Sequence, residues 1–269
     1  MLSKLLKYEL KATGRIFLPL FLALLMFAGI TKVIAPIGPE EWATPATISM
    51  ITYIIILVGM FVMTFIMMIQ RFKNNLLSDE GYLMHTLPVK PWKHIVSKLF
   101  VSMLWIVASG IIALISVLII TLEKGRLTKI IVGFADLYHQ AFEQWGASIY
   151  VLSFEIILGI LVSLASVILI VYASIALGHL FNQHKMLASF GAFIVLSTLS
   201  QFLFTHIHLP FGTAYFSNLH DIFSSPNDFL VTPAAMQLAI AYRIISTGIL
   251  CAAYFAVTNF ILGKRLNLE

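Results

Sequence analysis

Apolar residues run along this chain in long, nearly unbroken blocks, not in the alternating or striped patterns of a water-soluble fold. Six blocks reach about the 20 residues needed to cross the hydrocarbon of a bilayer. They lie at about 16–36, 47–70, 99–122, 149–178, 186–206 and 236–262. The fourth is long enough to tilt or to extend past the bilayer. The pattern predicts an all-α polytopic membrane protein with six transmembrane helices in one domain, 1–269, without internal repeat or low-complexity tract. The polar segments between the blocks are 37–46, 71–98, 123–148, 179–185 and 207–235.

Three polar stretches carry more than a connection. At 100° per residue, Lys4, Lys7, Lys11 and Arg15 share one face of residues 1–15, opposite Leu2, Leu5, Leu6 and Leu10. This predicts an interfacial amphipathic helix along the inner leaflet, cations toward headgroups and water. Glu9 falls in the middle of its apolar face. It either snorkels or is protonated, or it pairs with a basic residue of the 71–98 segment or of a partner. The outer segment 123–148 repeats Leu127, Ile130, Ile131, Phe134, Leu137, Ala141 and Trp145 at helical spacing. It reads as an amphipathic helix on the outer surface, either shielding the spans or forming an outer gate.

The third stretch, Arg71 to Lys98, reads RFKNNLLSDEGYLMHTLPVKPWKHIVSK. Ser78 and Asp79 can cap a short helix, Pro88 stops it, and Pro91 suits the first position of the helix leading into the third span. A solvated loop and a short surface helix able to act as a lever both fit these residues.

Composition supports the membrane reading. The chain is 60% hydrophobic and 11% charged, with mean hydropathy +0.96, whereas a soluble domain carries about 25% charged residues. The single cysteine, Cys251, excludes an intrachain disulfide and a Cys-based metal site. A net charge of +5 reflects topology and not nucleic-acid binding. Lys4, Lys7, Lys11, Arg15, Arg71, Lys73, Lys90, Lys93, Lys98, Lys185, Lys264 and Arg265 lie on the side of the termini. Only Lys32, Lys124, Arg126, Lys129 and Arg243 lie on the other. This bias predicts that both termini are cytoplasmic. The basic N-terminus and first block read as a retained signal-anchor span, since no small-x-small cleavage site follows.

Two charges fall inside spans. Glu155 and Arg243 each lie about two turns in from the outer side. A charge there costs on the order of 2.5–3.5 kcal/mol, so pairing or water access is expected. An ion pair between them would either line a translocation path or lock helix packing. Other candidates are weaker. His206 and His208 form H-x-H, with His220-Asp221 beyond, but no helical ligand spacing supports a metal site. Met60, Met63, Met67 and Met68 make a soft patch suited to packing or to substrate contact. No G-x-x-x-x-G-K-[ST] loop, H-E-x-x-H or G-x-S-x-G motif occurs, so no catalytic residue is assigned.

The stretch S-D-E-G-Y-L-M-H-T-L-P-V at 78–89, followed by Lys98 at the start of a span, resembles the loop of permeases of bacterial ABC exporters. The opening L-L-K-Y-E-L-K, Leu5 to Lys11, resembles their N-terminal helix. The likeness covers the whole chain in layout and these two segments in sequence. It implies a transmembrane permease in a bacterial plasma membrane, with a cytoplasmic coupling helix between spans 2 and 3, around Leu76–Leu87. That helix would dock on a separate ATP-binding cassette subunit through Leu76, Leu77, Asp79, Glu80, Gly81, Tyr82, Leu87 and Pro88. Lys90 departs from the small polar residue common in relatives.

The resemblance further implies a second permease chain, identical or related, with ATP and Mg held by the partner subunit and no cofactor on this chain. Apolar spans without rings of charge argue against a small hydrophilic ion as substrate. An amphipathic peptide, a lipid-like molecule or a hydrophobic drug fits better. The alternatives are a non-transporting membrane sensor or assembly factor recruiting a partner through 71–98, and an intramembrane enzyme. The second lacks clustered polar groups at one depth.

Overall fold

The computed structural model describes residues 2–34, 43–77, 90–121, 126–181, 184–206 and 233–264. Every element among them is an α-helix: α1 Leu2–Ile34, α2 Ala43–Leu77, α3 Pro91–Thr121, α4 Arg126–Trp145, α5 Ser148–Gly178, α6 Lys185–His206 and α7 Pro233–Lys264. All but α4 are long and apolar enough to cross a membrane. Their outward side chains, among them Leu18, Leu22, Leu114, Ile157, Val195 and Ile249, are exposed apolar groups. So much contiguous apolar surface is stable only under lipid. The architecture is that of a multi-pass helical membrane protein.

The helix limits follow local chemistry. Pro91 opens α3, where its missing N–H is no loss, and Lys93 N–H bonds the Lys90 carbonyl at 3.0 Å. Gly146, at φ +54°, joins α4 to α5, its N–H bonded to the Phe142 carbonyl at 2.8 Å. The expected separate surface helix over 1–15 is not a distinct element. Leu2–Ile34 is one continuous helix carrying Pro19 inside it. No proline or glycine falls within residues 1–13, so the amphipathic start runs on into the first span as one helical element. Lys4, Lys7, Lys11 and Arg15 are exposed on it, as their shared face requires.

The helices pack as two compact units, divided between Phe134 and Ala135. In the first, α1 packs on α3 and α2. Phe17, Phe21, Leu24, Met60, Met67, Val101 and Trp105 form its core. Polar cross-links set the directions. Tyr53 and Ser116 hydroxyls meet at 2.9 Å and Thr64 and Ser109 at 3.1 Å, so α2 and α3 run antiparallel. The Thr31 hydroxyl donates to the Ser49 carbonyl at 3.3 Å, linking α1 to α2. Such bonds between membrane helices contribute about 0.6–2 kcal/mol each.

In the second unit, α5 packs against α7 and α6. Gly159 lies under Ile244, and the Cys251 thiol points to the Val162 carbonyl at 3.6 Å, so α5 and α7 run parallel. Where α6 returns toward α5, the backbone of Ser189 comes so close to Gly178 that no side chain fits there.

Candidate functional site

The charged residues of the first unit converge at one place. Glu9 lies in the second turn of α1, Arg71 near the end of α2 and Lys98 in the second turn of α3. The Lys98 ammonium donates to Glu9 Oε1 at 2.6 Å, and Arg71 Nη1 stands 3.8 Å from Glu9 Oε2. The side chains of Lys98 and Glu9 are 3% and 11% exposed, that of Arg71 27%. Glu9 is therefore joined to both ends of the 71–98 segment, which explains an acid in the middle of an otherwise apolar face.

One turn further along α1, the Trp105 indole donates to the Thr13 hydroxyl at 2.7 Å. Thr13 in turn donates to the Glu9 carbonyl at 2.8 Å. The Phe17 ring stacks on Trp105 with centroids 4.5 Å apart and planes 15° from parallel. The Trp105 ring also packs over Gly14, 3.6 Å from where a Cβ would stand, an ordinary van der Waals distance. Together these residues clamp α1 to α3 just beside the ion cluster.

A small cleft opens at the cluster, lined among others by Glu9, Arg71, Lys98, Thr64, Met67 and Met68. It leaves about 20 Å³, room for one water molecule.

The residues singled out from the sequence fall as follows. Leu76, expected on the docking surface, is fully buried in this chain, and α2 continues through it to Leu77. Leu77 closes α2; Asp79, Glu80, Gly81, Tyr82, Leu87 and Pro88 lie outside the described residues, as do the Ser78–Asp79 cap, His208 and His220. Met60, Met67 and Met68 are buried in the core, with Met63 packed against it. The methionine patch is thus mostly core, apart from the cleft wall.

Glu155 and Arg243 are not paired. The ion pairs among the described residues are those of Glu9. The Arg243 guanidinium instead lies over the Phe204 ring of α6, 4.2 Å from its centroid, a cation–π contact. Ile244, the next residue, takes the place against α5 at Gly159, which turns Arg243 away from that helix. Glu155 Oε2 is buried with no hydrogen-bond partner among the described residues. No group of three or more His, Cys, Asp or Glu side chains that could hold a metal occurs among the described residues.

The polar network around Thr13 and Trp105, and the Tyr53–Ser116 and Thr64–Ser109 links, were not singled out from the sequence. The available signal was the recurrence of hydroxyl residues within apolar spans, where an unsatisfied polar group is costly. No protein-family model, curated protein or solved structure matches this chain. The class it falls into is therefore the one its helices define, a multi-pass membrane protein with a buried charge cluster at one end of its first helical unit.

Proposed function

We propose that this chain is the membrane-spanning permease subunit of a bacterial ATP-driven ABC exporter, with both termini in the cytoplasm. It moves an amphipathic or hydrophobic substrate with a second permease chain and a separate ATP-binding cassette subunit that holds ATP and Mg. The observation that most supports this reading is the convergence of Glu9, Arg71 and Lys98. A segment pushed by a soluble motor moves the spans only if its ends are held rigidly to them. Here both ends of 71–98 are tied through one buried carboxylate to the N-terminal helix. The resemblance of 78–89 to a coupling helix supplies the point of contact. The basic residues clustered on the side of the termini support the orientation. No G-x-x-x-x-G-K-[ST] loop occurs in the sequence, which is compatible with ATP hydrolysis on a partner.

The test is purification from native membrane in mild detergent, with ATPase activity measured on the eluate. Wild type is compared with a variant carrying Glu80→Lys and Leu87→Asp. An ATP-binding subunit should accompany the wild type and be lost from the variant. Folded wild-type protein that purifies without any ATPase would favour a sensor or assembly factor instead.

A further inference from the structure

We propose that α4 lies in the membrane interface opposite the chain termini, with its apolar face sunk into the lipid of that leaflet. This depends on the membrane architecture alone and not on transport.

The chain leaves α4 little choice of position. Its 20 residues, Arg126–Trp145, are too polar to cross a bilayer, whereas α3 and α5 on either side are apolar enough to do so. Only residues 122–125 separate α4 from α3, and only Gly146 and Ala147 separate it from α5. A helix tethered so closely to two spans stays at the membrane surface where those spans end. Contacts hold its second half at the level of the first turn of α5. The Tyr138 and Tyr150 hydroxyls lie 3.3 Å apart, and the Phe142 ring meets Tyr150 edge-on with centroids 6.4 Å apart. Tyr138 and Tyr150 are 12 positions apart, which is about 18 Å along one straight helix. So α4 turns aside at Gly146, at φ +54°, and does not continue the axis of α5.

The two faces of α4 identify its surroundings. At 100° per residue, Ile131, Phe134, Leu137, Tyr138 and Phe142 share one arc, opposite Asp136, Gln140 and Glu143. On the apolar arc Phe134 is 71% exposed, Ile131 64% and Leu137 63%. Since α4 packs along none of the described spans, this face does not shield them. An apolar stripe held open at a bilayer surface is stable against acyl chains. Tyr138 and Tyr150, each an apolar ring with a hydroxyl, suit the depth of the headgroups.

Charge balance shows what drives the insertion. Over 122–147, Lys124, Arg126 and Lys129 are matched by Glu123, Asp136 and Glu143. With no net charge to draw it to anionic headgroups, α4 inserts through its apolar area. A zwitterionic leaflet therefore serves as well as an anionic one.

The experiment is electron paramagnetic resonance on the full chain reconstituted in phosphatidylcholine vesicles. A nitroxide is attached to a single cysteine, Phe134→Cys, Leu137→Cys, Asp136→Cys or Gln140→Cys, in a Cys251→Ser background. Monodisperse elution of each labelled protein before reconstitution controls for folding. Collisions with oxygen, which concentrates in hydrocarbon, are compared with collisions with a water-soluble nickel chelate. Labels at Phe134 and Leu137 should show an oxygen-to-nickel ratio severalfold above those at Asp136 and Gln140, as for side chains about 5–10 Å into the headgroup and acyl boundary. Added phosphatidylglycerol should leave the ratios unchanged. Equal nickel access at all four positions would overturn the proposal, because water would then cover the apolar face. Labels at Phe134 and Leu137 reached by neither reagent would also overturn it and assign the face to protein, a span or a second copy. A raised ratio only when phosphatidylglycerol is present would overturn the apolar driving force.

Discussion

Lys98 donates to Glu9 at 2.6 Å across 89 positions of the chain, joining α3 to the second turn of α1. The ammonium is almost wholly enclosed and the carboxylate is shared with Arg71. Breaking such a pair from one side strands a buried charge, whereas removing both partners does not. Glu9→Gln should therefore lower the thermal midpoint in detergent markedly, by the equivalent of about 3–5 kcal/mol. Glu9→Gln with Lys98→Met should recover a large part of it. Additive losses in the double variant would show that the two side chains are not coupled.

The Thr13–Trp105 bond gives a milder case. Trp105→Phe keeps a ring against Phe17 but loses the indole donor, and Thr13→Val removes the acceptor. Each should cost about 1 kcal/mol, and together scarcely more than one alone, because they report the same bond. A thermal-melt double-mutant cycle measures this. Independent effects would mean the bond contributes nothing separate from packing.

Gly178→Ala should be among the most damaging single changes in the second unit. A Cβ at that position would lie 2.6 Å from the Ser189 Cα, and backbone cannot swing aside as a flexible side chain does. Loss of monodisperse protein on size-exclusion chromatography is the expected readout. Gly191→Ala, with open space at its Cβ, is the control and should behave as wild type.

Because Arg243 stacks on Phe204 and not on Glu155, reversing both charges should rescue nothing. Glu155→Gln alone should be neutral or stabilising, since Oε2 has no partner to lose among the described residues. Phe204→Leu should weaken the anchoring of Arg243 by about 0.5–2 kcal/mol, the range of a cation–π contact. Recovery of stability in a Glu155→Arg, Arg243→Glu variant, beyond either single reversal, would contradict this arrangement.

Much of the fold was legible in the chain itself. A bilayer demands a fixed length of apolar helix, so six blocks announced six helices, and the structure bounds each within a few residues of the apolar block or extends it along the same axis. Pro91 marked the start of α3 because proline lacks an N–H, and the stripe from Leu127 to Trp145 marked α4 because only one face is apolar. All of these are local properties. The partners of the charges were not. A helix that is apolar all round carries no mark of which face meets its neighbours. Rotation about its axis is decided only when side chains from distant parts of the chain pack together. That packing chose Lys98 among several candidate cations for Glu9, buried Leu76, and set Ile244 against α5 while Arg243 faces Phe204.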